Sequence, residues 1–222
     1  MTDGDPAVVV SASEVPEWLR DLAAAAARMD VPSAIRPPAF GGRPSAVLVL
    51  FGDGPSGPDL LFIQRSEGLR RHPGQSAFPG GAVEASDAGP VAAALREAAE
   101  EVGLDARGVD VLGAMPELFI PPSGFRVTPV LAWWREPCAV APADLGEVAA
   151  VERIAVADLA DPGSRLMVRG PSGLMAPGFR VGSMLIWGFT AALVDRLLEL
   201  AGWELPWDAT NVRDWSERAQ NS

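Results

Sequence analysis

A single strongly punctuated helix in the middle of the chain constrains how the rest can be arranged. The stretch from Pro90 to Val102 opens on a proline suited to a first helical position and runs through alanine-rich sequence. It stops at Gly103, which suits a left-handed C-terminal cap. On either side the apolar runs are short and strand-like: Ser45 to Phe51 and Asp59 to Arg65 before it, then Val109 to Leu112, Val127 to Trp134 and Val148 to Ala155. The turn Gly52 to Pro58 joins the first two as a hairpin. A last helix is expected over Met184 to Ala201. An N-terminal amphipathic helix is expected over Ser11 to Met29, where Trp18, Leu19, Leu22 and Ala26 recur near helical spacing. Strands before and after a central helix, with another helix at the end, predict a layered α/β fold.

Three segments follow from this reading: residues 1–44 as a helix and a Pro/Gly-rich lead-in (Pro32 to Pro44), 45–206 as the main domain, and 207–222 as a polar tail, loose from Asn211. The stretch Ser66 to Gly81, rich in Gly, Pro and basic residues, reads as a loop. The net charge of −11 argues against sequence-independent nucleic-acid binding, which needs Lys and Arg to displace counterions. It leaves small phosphorylated ligands open. The single cysteine, Cys138, forms no internal disulfide, so a cytoplasmic protein is expected. Met1 to Pro6 has no basic leader character, and the longest apolar run, Met184 to Val194, is too short for a bilayer core of about 30 Å. No membrane association is expected.

The end of the central helix breaks an electrostatic rule. At about 100° per residue, Glu97, Glu100 and Glu101 fall within one arc of about 100°, so three carboxylates share a patch. A helix C-terminus already carries about half a negative charge, and each acid placed there costs roughly 0.3–1 kcal/mol. A helix with a purely structural duty would end in Lys or Arg. Two readings remain at this point: a solvated acidic face, or a site where carboxylate oxygens hold a hard divalent cation that removes the repulsion.

The segment Ala94-Leu-Arg-Glu-Ala-Ala-Glu-Glu-Val-Gly-Leu104 resembles the Nudix hydrolase box, with Arg96, Glu97, Ala98, Glu100, Glu101, Gly103 and Leu104 filling its second half in order. Upstream, Arg65, Ser66, Arg70, Gly74 and Phe78-Pro-Gly-Gly81 resemble the signature of the coenzyme A pyrophosphatases within that superfamily. Ser123-Gly-Phe125, Val127-Thr-Pro-Val130 and Ile186-Trp-Gly-Phe-Thr-Ala191 are similar to the same family. The likeness runs from about Ala46 to Leu198. Two positions depart from the pattern. Ile63 stands where the signature usually has Thr, and Ala88, eight residues before Arg96, stands where the box has Glu, the glycine-to-arginine spacing being stretched by one residue as in similar coenzyme A enzymes. Glu84 and Asp87 are the nearby acids, and their roles stay open.

The resemblance implies an α/β/α sandwich with a mixed sheet between helices. It implies hydrolysis of the diphosphate bond of coenzyme A or its acyl derivatives. A broader nucleoside-diphosphate hydrolase acting on NADH or another dinucleotide is the alternative, and a non-catalytic nucleotide sensor is a third reading. Glu97, Glu100 and Glu101 would hold Mg²⁺ or Mn²⁺, with Glu97, Glu101 and Arg96 as the catalytic set. Glu97 is the first choice as base, and Glu147 and Glu152 are candidates from elsewhere. Arg96 is expected to clamp a neighbouring carboxylate. Arg65, Arg70, Gly80 and Gly81 would meet the substrate. His72 and Cys138 read as bystanders, and Trp133, Trp134 and Trp187 as core. The N-terminal helix has its own domain or a partner subunit to pack on, which leaves a homodimer open.

Overall fold

A computed structural model describes residues 15–69, 72–121, 123–170 and 173–215. In chain order the elements are α1 (Glu17–Ala26), β1 (Arg43–Gly54), β2 (Gly57–Arg65), β3 (Ser76–Ala77), β4 (Gly80–Ala82) and α2 (Pro90–Val102). They continue with β5 (Val109–Ala114), β6 (Leu118–Ile120), β7 (Phe125–Trp134), β8 (Val148–Ala155), α3 (Val156–Ala160) and β9 (Arg165–Arg169). The last are β10 (Met175–Val181), β11 (Met184–Ile186), α4 (Gly188–Leu200) and β12 (Val212–Asp214).

Alternation along β1 decides the layering. Ala46, Leu48 and Leu50 turn to one face and pack with Ala93, Ala94, Ala98 and Val102 of α2. Val49 and Phe51 turn to the other, among Leu19, Leu22 and Ala26 of α1 and Leu193, Val194 and Leu197 of α4. A strand covered on both faces has no polar side, which is why this segment reads as one apolar run. The small side chains of α2 let its axis lie close to the sheet.

The main sheet runs β3-β2-β1-β7-β5, with β4 also on β1, β6 on β7 and β8 on β2. β1 and β7 are parallel, from Arg43 opposite Phe125 to Phe51 opposite Trp133, and the other pairings are antiparallel. The architecture is therefore the expected α/β/α sandwich around a mixed sheet. α1 packs on its own domain: Trp18 meets Phe51 edge-on with ring centroids 5.6 Å apart and lies 5.0 Å from Trp203.

Several local expectations are corrected. The hairpin turn narrows from Gly52–Pro58 to two residues, because Gly52, Asp53 and Gly54 pair with Asp59, Pro58 and Gly57. α1 is shorter than Ser11 to Met29; Pro16 precedes its first turn, and residues 1–14 lie outside the described residues. The stretch Ser66 to Gly81 is not all loop, since it contains β3 and the start of β4. The apolar run from Met184 does not begin as helix. Met184–Ile186 is a strand, Trp187 is extended, and Gly188 at φ +66° starts α4. The tail is not loose at Val212–Asp214, which pairs in parallel with Met167–Arg169.

These last strands form a second sheet, β11-β10-β9-β12. Arg165 of β9, 1% exposed, ties it to its surroundings: the guanidinium is bonded to Asp195 of α4, lies 3.4 Å from Glu204, and sits 4.6 Å from the ring of Trp207. Trp133 and Trp134 are buried on opposite faces of the main sheet. Trp187 is only partly buried and packs with Trp215 beside the second sheet, outside the main core.

Candidate active site

The short strand β4 carries a pair of glycines between β1 and α2. Gly80 pairs with Val47 and Gly81 with Ala46, and the Pro79 carbonyl accepts the Leu48 N–H at 2.8 Å. A Cβ on Gly80 would strike the Ala46 carbonyl oxygen and Val47 Cα; one on Gly81 would enter the Glu97 carboxylate. Only bare backbone lets the strand edge and the helix acids meet this closely.

Against this strand lie two of the three glutamates. The Glu101 side chain is 7% exposed; its Oε2 accepts the Gly80 N–H at 3.0 Å, and its Oε1 lies 3.9 Å from Arg65 Nη1. Burial pushes the Glu101 carboxyl up to about 7, with the charges of Glu97 and Glu147 adding and the Gly80 N–H and Arg65 opposing. Burial also raises Glu97, against the pull of Arg96. Glu100 departs from the expected single patch. Its side chain is 60% exposed, drawn aside by a 2.9 Å bond from Arg96 four residues earlier.

Arg96 has its five N–H donors engaged within the chain. Nε and Nη2 donate to the two oxygens of Asp87 at 3.0 and 3.1 Å, Nη2 also to the Ala82 carbonyl at 3.0 Å, and Nη1 to Glu97 at 3.2 Å and Glu100 at 2.9 Å. Arg65 is the opposite case: its Nε is buried without a hydrogen-bond partner among the described residues. Arg70 falls outside the described residues. Glu147 stands within electrostatic range of Glu101. Glu152 pairs with Phe62 on the sheet face opposite α2 and is exposed, away from the acids. His72 is exposed and hydrogen-bonded to Gln75, and Cys138 packs partly buried behind α2. Asp87 is the residue whose part only the structure reveals. The acid expected eight residues before Arg96 is missing, and Asp87, nine before it, is the one Arg96 grips.

The residues present suit a hard divalent cation. Two carboxylates meet at a cradle that a Cβ would fill, and the buried one is left with a single N–H and a distant guanidinium. Among the described residues no three Asp, Glu, His or Cys side chains group closely enough to enclose an ion alone. Mg²⁺ commonly takes one or two carboxylates and completes its shell with water and substrate phosphate. Glu97 and Glu101, with Glu100 at the rim, are the residues that would hold it.

Comparison with known proteins bears on the family of the chain. The NUDIX domain profile matches residues 42–169, more than half of the chain. A Klebsiella aerogenes protein described as an uncharacterized Nudix hydrolase, NudL, is 50% identical over 94 residues, 42% of this chain and 77% of its own length. Proteins of the same description from Citrobacter koseri and Enterobacter sp. strain 638 are 55% and 44% identical over 74 and 98 residues, covering 33% and 44% of this chain. Those two matches span only 38% and 47% of the relatives' lengths. The crystal structure of RenU, a Nudix hydrolase from M. smegmatis, shares the fold with a TM-score of 0.52 at 23% identity, over 76% of this chain and 91% of its own. No helix among the described residues is long and apolar enough to cross a membrane. With the box residues in order, the glycine strand against the helix acids, and a family profile spanning both, the chain belongs to the Nudix hydrolase family.

Proposed function

We propose that this protein hydrolyses the diphosphate bond of coenzyme A or its acyl derivatives, giving 3′,5′-ADP and (acyl-)4′-phosphopantetheine, with Mg²⁺ or Mn²⁺ as cofactor. The observation that carries the reaction is the meeting of Glu97 and Glu101 at Gly80–Gly81, beside an arginine with an unpartnered Nε. The choice of coenzyme A is supported by the resemblance of Arg65, Ser66, Arg70, Gly74 and Phe78 to Gly81 to that family's signature. The single thiol fits a cytoplasmic location for such an enzyme.

A diphosphate repels an attacking water by its own charge. A divalent cation held at these acids would supply neutralising charge and a more acidic water. The chain's part is positioning and proton handling. Glu97, Glu100 and Glu101 would hold the cation, and Glu97 would accept the proton of the attacking water. The Gly80–Gly81 backbone lets the diphosphate approach without a side chain in the way. Arg65 donates to a phosphate oxygen, its fork suited to two oxygens at once. Arg96 keeps the acids in shape and does not reach substrate, because its donors are already engaged.

The test is kcat/KM measured with Mg²⁺ or Mn²⁺ for coenzyme A, an acyl-coenzyme A and NADH. The proposal expects both coenzyme A forms to exceed NADH by at least about 10-fold, the worth of one charged hydrogen bond to the extra phosphate. Preference for NADH would replace it with a broader dinucleotide hydrolase. Binding without turnover of any of them would point to a nucleotide sensor.

A further inference from the structure

We propose that His72 is a specificity-determining residue: its imidazolium donates from Nε2 to a second phosphate on the nucleotide, the 3′-phosphate that coenzyme A carries and NADH lacks. The inference rests on the diphosphate-cleavage reading above and names the group that selects the nucleotide end of the substrate.

His72 is held in a backbone conformation that its turn does not require. The Gln75 N–H meets the His72 carbonyl at 3.4 Å, closing a turn over residues 72–75 with Pro73 and Gly74 at its centre. Such a turn needs a left-handed residue at its third position, and Gly74 at φ +62° supplies it. His72 stands at the first position, yet it has φ +54°, the one residue other than glycine with positive φ among the described residues. It also precedes a proline, which ordinarily pushes its neighbour to extended backbone. An outlier from which the turn gains nothing points to a constraint outside the turn.

That constraint is the tie between the ring and the face of the sheet that carries Arg65. Ile63 pairs with Ala77 and Gln64 with Ser76, and the Arg65 N–H donates to the Gln75 carbonyl at 2.9 Å, so Gln75 stands opposite Arg65. Ile63 and Ala77 pack with α2, whereas Ser76 turns its hydroxyl to the Leu185 carbonyl of the second sheet. By alternation Arg65 and Gln75 share the face toward α2. Gln75 Oε1 is 2.7 Å from His72 Nδ1. An amide oxygen only accepts, so Nδ1 carries its proton there and Nε2 is the nitrogen left on an exposed residue. Glu67, the nearest acid in sequence, has its carboxylate against Gly74, where a Cβ would strike it. As imidazolium the ring donates from both nitrogens, Nδ1 to Gln75 and Nε2 to an anion. Arg65, whose Nη1 lies 3.9 Å from Glu101, is the cation beside the acids and takes the diphosphate. The ring, one side chain further out, serves a phosphate outside the scissile pair.

The nucleotides 3′,5′-ADP and 5′-AMP differ only in that phosphate. Titrated by calorimetry into the full chain with Mg²⁺ present, they test the proposal without reference to turnover. Wild type is expected to bind 3′,5′-ADP about 10-fold or more tightly than 5′-AMP, the worth of one charged hydrogen bond. His72→Asn keeps a residue that accepts positive φ but removes the cation. It should bring the two affinities to within about 2-fold, since the bond is gone. With coenzyme A and 3′-dephospho-coenzyme A as substrates, the preference in kcat/KM should fall in parallel, through KM rather than kcat. If the Asn variant does not melt cooperatively, His72→Gly decides in the same way, because glycine takes positive φ without strain. A variant that keeps the wild-type preference overturns the proposal, as does a wild type that binds the two nucleotides equally or binds neither. A preference for 3′,5′-ADP that disappears in the variant, with coenzyme A left intact by wild type, overturns the proposed reaction alone and upholds the role of His72.

Discussion

Nη1 of Arg65 stops 3.9 Å from Oε1 of Glu101, beyond hydrogen-bonding distance, and the buried Nε of the same side chain has no partner among the described residues. Arg96, the seventh residue of α2, has its five donors engaged. The contrast assigns the two arginines different work. Arg65→Ala is expected to raise KM for coenzyme A about 10-fold or more, the loss of one charged hydrogen bond, with a smaller fall in kcat. Steady-state kinetics check this, and an unchanged KM removes Arg65 from the substrate site.

The glutamates should not be equal. Glu101 is buried on the glycine strand and Glu97 borders it, whereas Glu100 is mostly exposed and held by Arg96. Glu97→Gln and Glu101→Gln are expected to lower kcat by roughly 10²–10⁴-fold. Glu100→Gln should cost clearly less. Equal losses at all three would mean that Glu100 leaves Arg96 when the cation binds.

Gly81 is a steric requirement of the site. Gly81→Ala puts a methyl group where the Glu97 carboxylate lies. Overpacking of this kind costs about 1–3 kcal/mol, readable as a lower urea midpoint. The same substitution should weaken Mn²⁺ binding, because Glu97 must move. A variant with wild-type stability and Mn²⁺ affinity would show that the carboxylate shifts freely.

Stability away from the site has a separate centre at Arg165. Its buried guanidinium depends on Asp195, with Glu204 at 3.4 Å as a weaker partner. Asp195→Ala leaves most of that charge uncompensated and is expected to cost about 3–5 kcal/mol of unfolding free energy. Chemical denaturation checks this, and a loss below about 1 kcal/mol would mean that Glu204 and the aromatic faces suffice.

Legibility in the sequence followed how local each signal was. α2 could be bounded because Pro90 and Gly103 act on their own backbone, and Gly103 indeed sits at φ +70°. The hairpin of β1 and β2 was legible for the same reason. β3 and β4 were not, because Ser76–Ala77 and Gly80–Ala82 have no strand propensity of their own and exist through pairing with β2 and β1. Met184–Ile186 was absorbed into a helix because three apolar residues ahead of a helical run carry no distinguishable period. Val212–Asp214 becomes a strand only beside β9. In the site, the arc shared by Glu97, Glu100 and Glu101 was readable from helix geometry. The outward turn of Glu100 depends on Arg96, and the part of Asp87 depends on a turn at 84–87 whose shape no residue pattern announced.

The central claim is that Glu97 and Glu101, meeting at Gly80–Gly81, make a cation-dependent site for cleaving a diphosphate. Its most direct test is chromatographic analysis of coenzyme A incubated with purified protein and Mn²⁺, alongside Glu101→Gln and a chelator control. The account predicts 3′,5′-ADP and 4′-phosphopantetheine in equal amounts from wild type, little of either from the variant, and none with chelator. Equal product from Glu101→Gln, or release that persists in chelator, would contradict it.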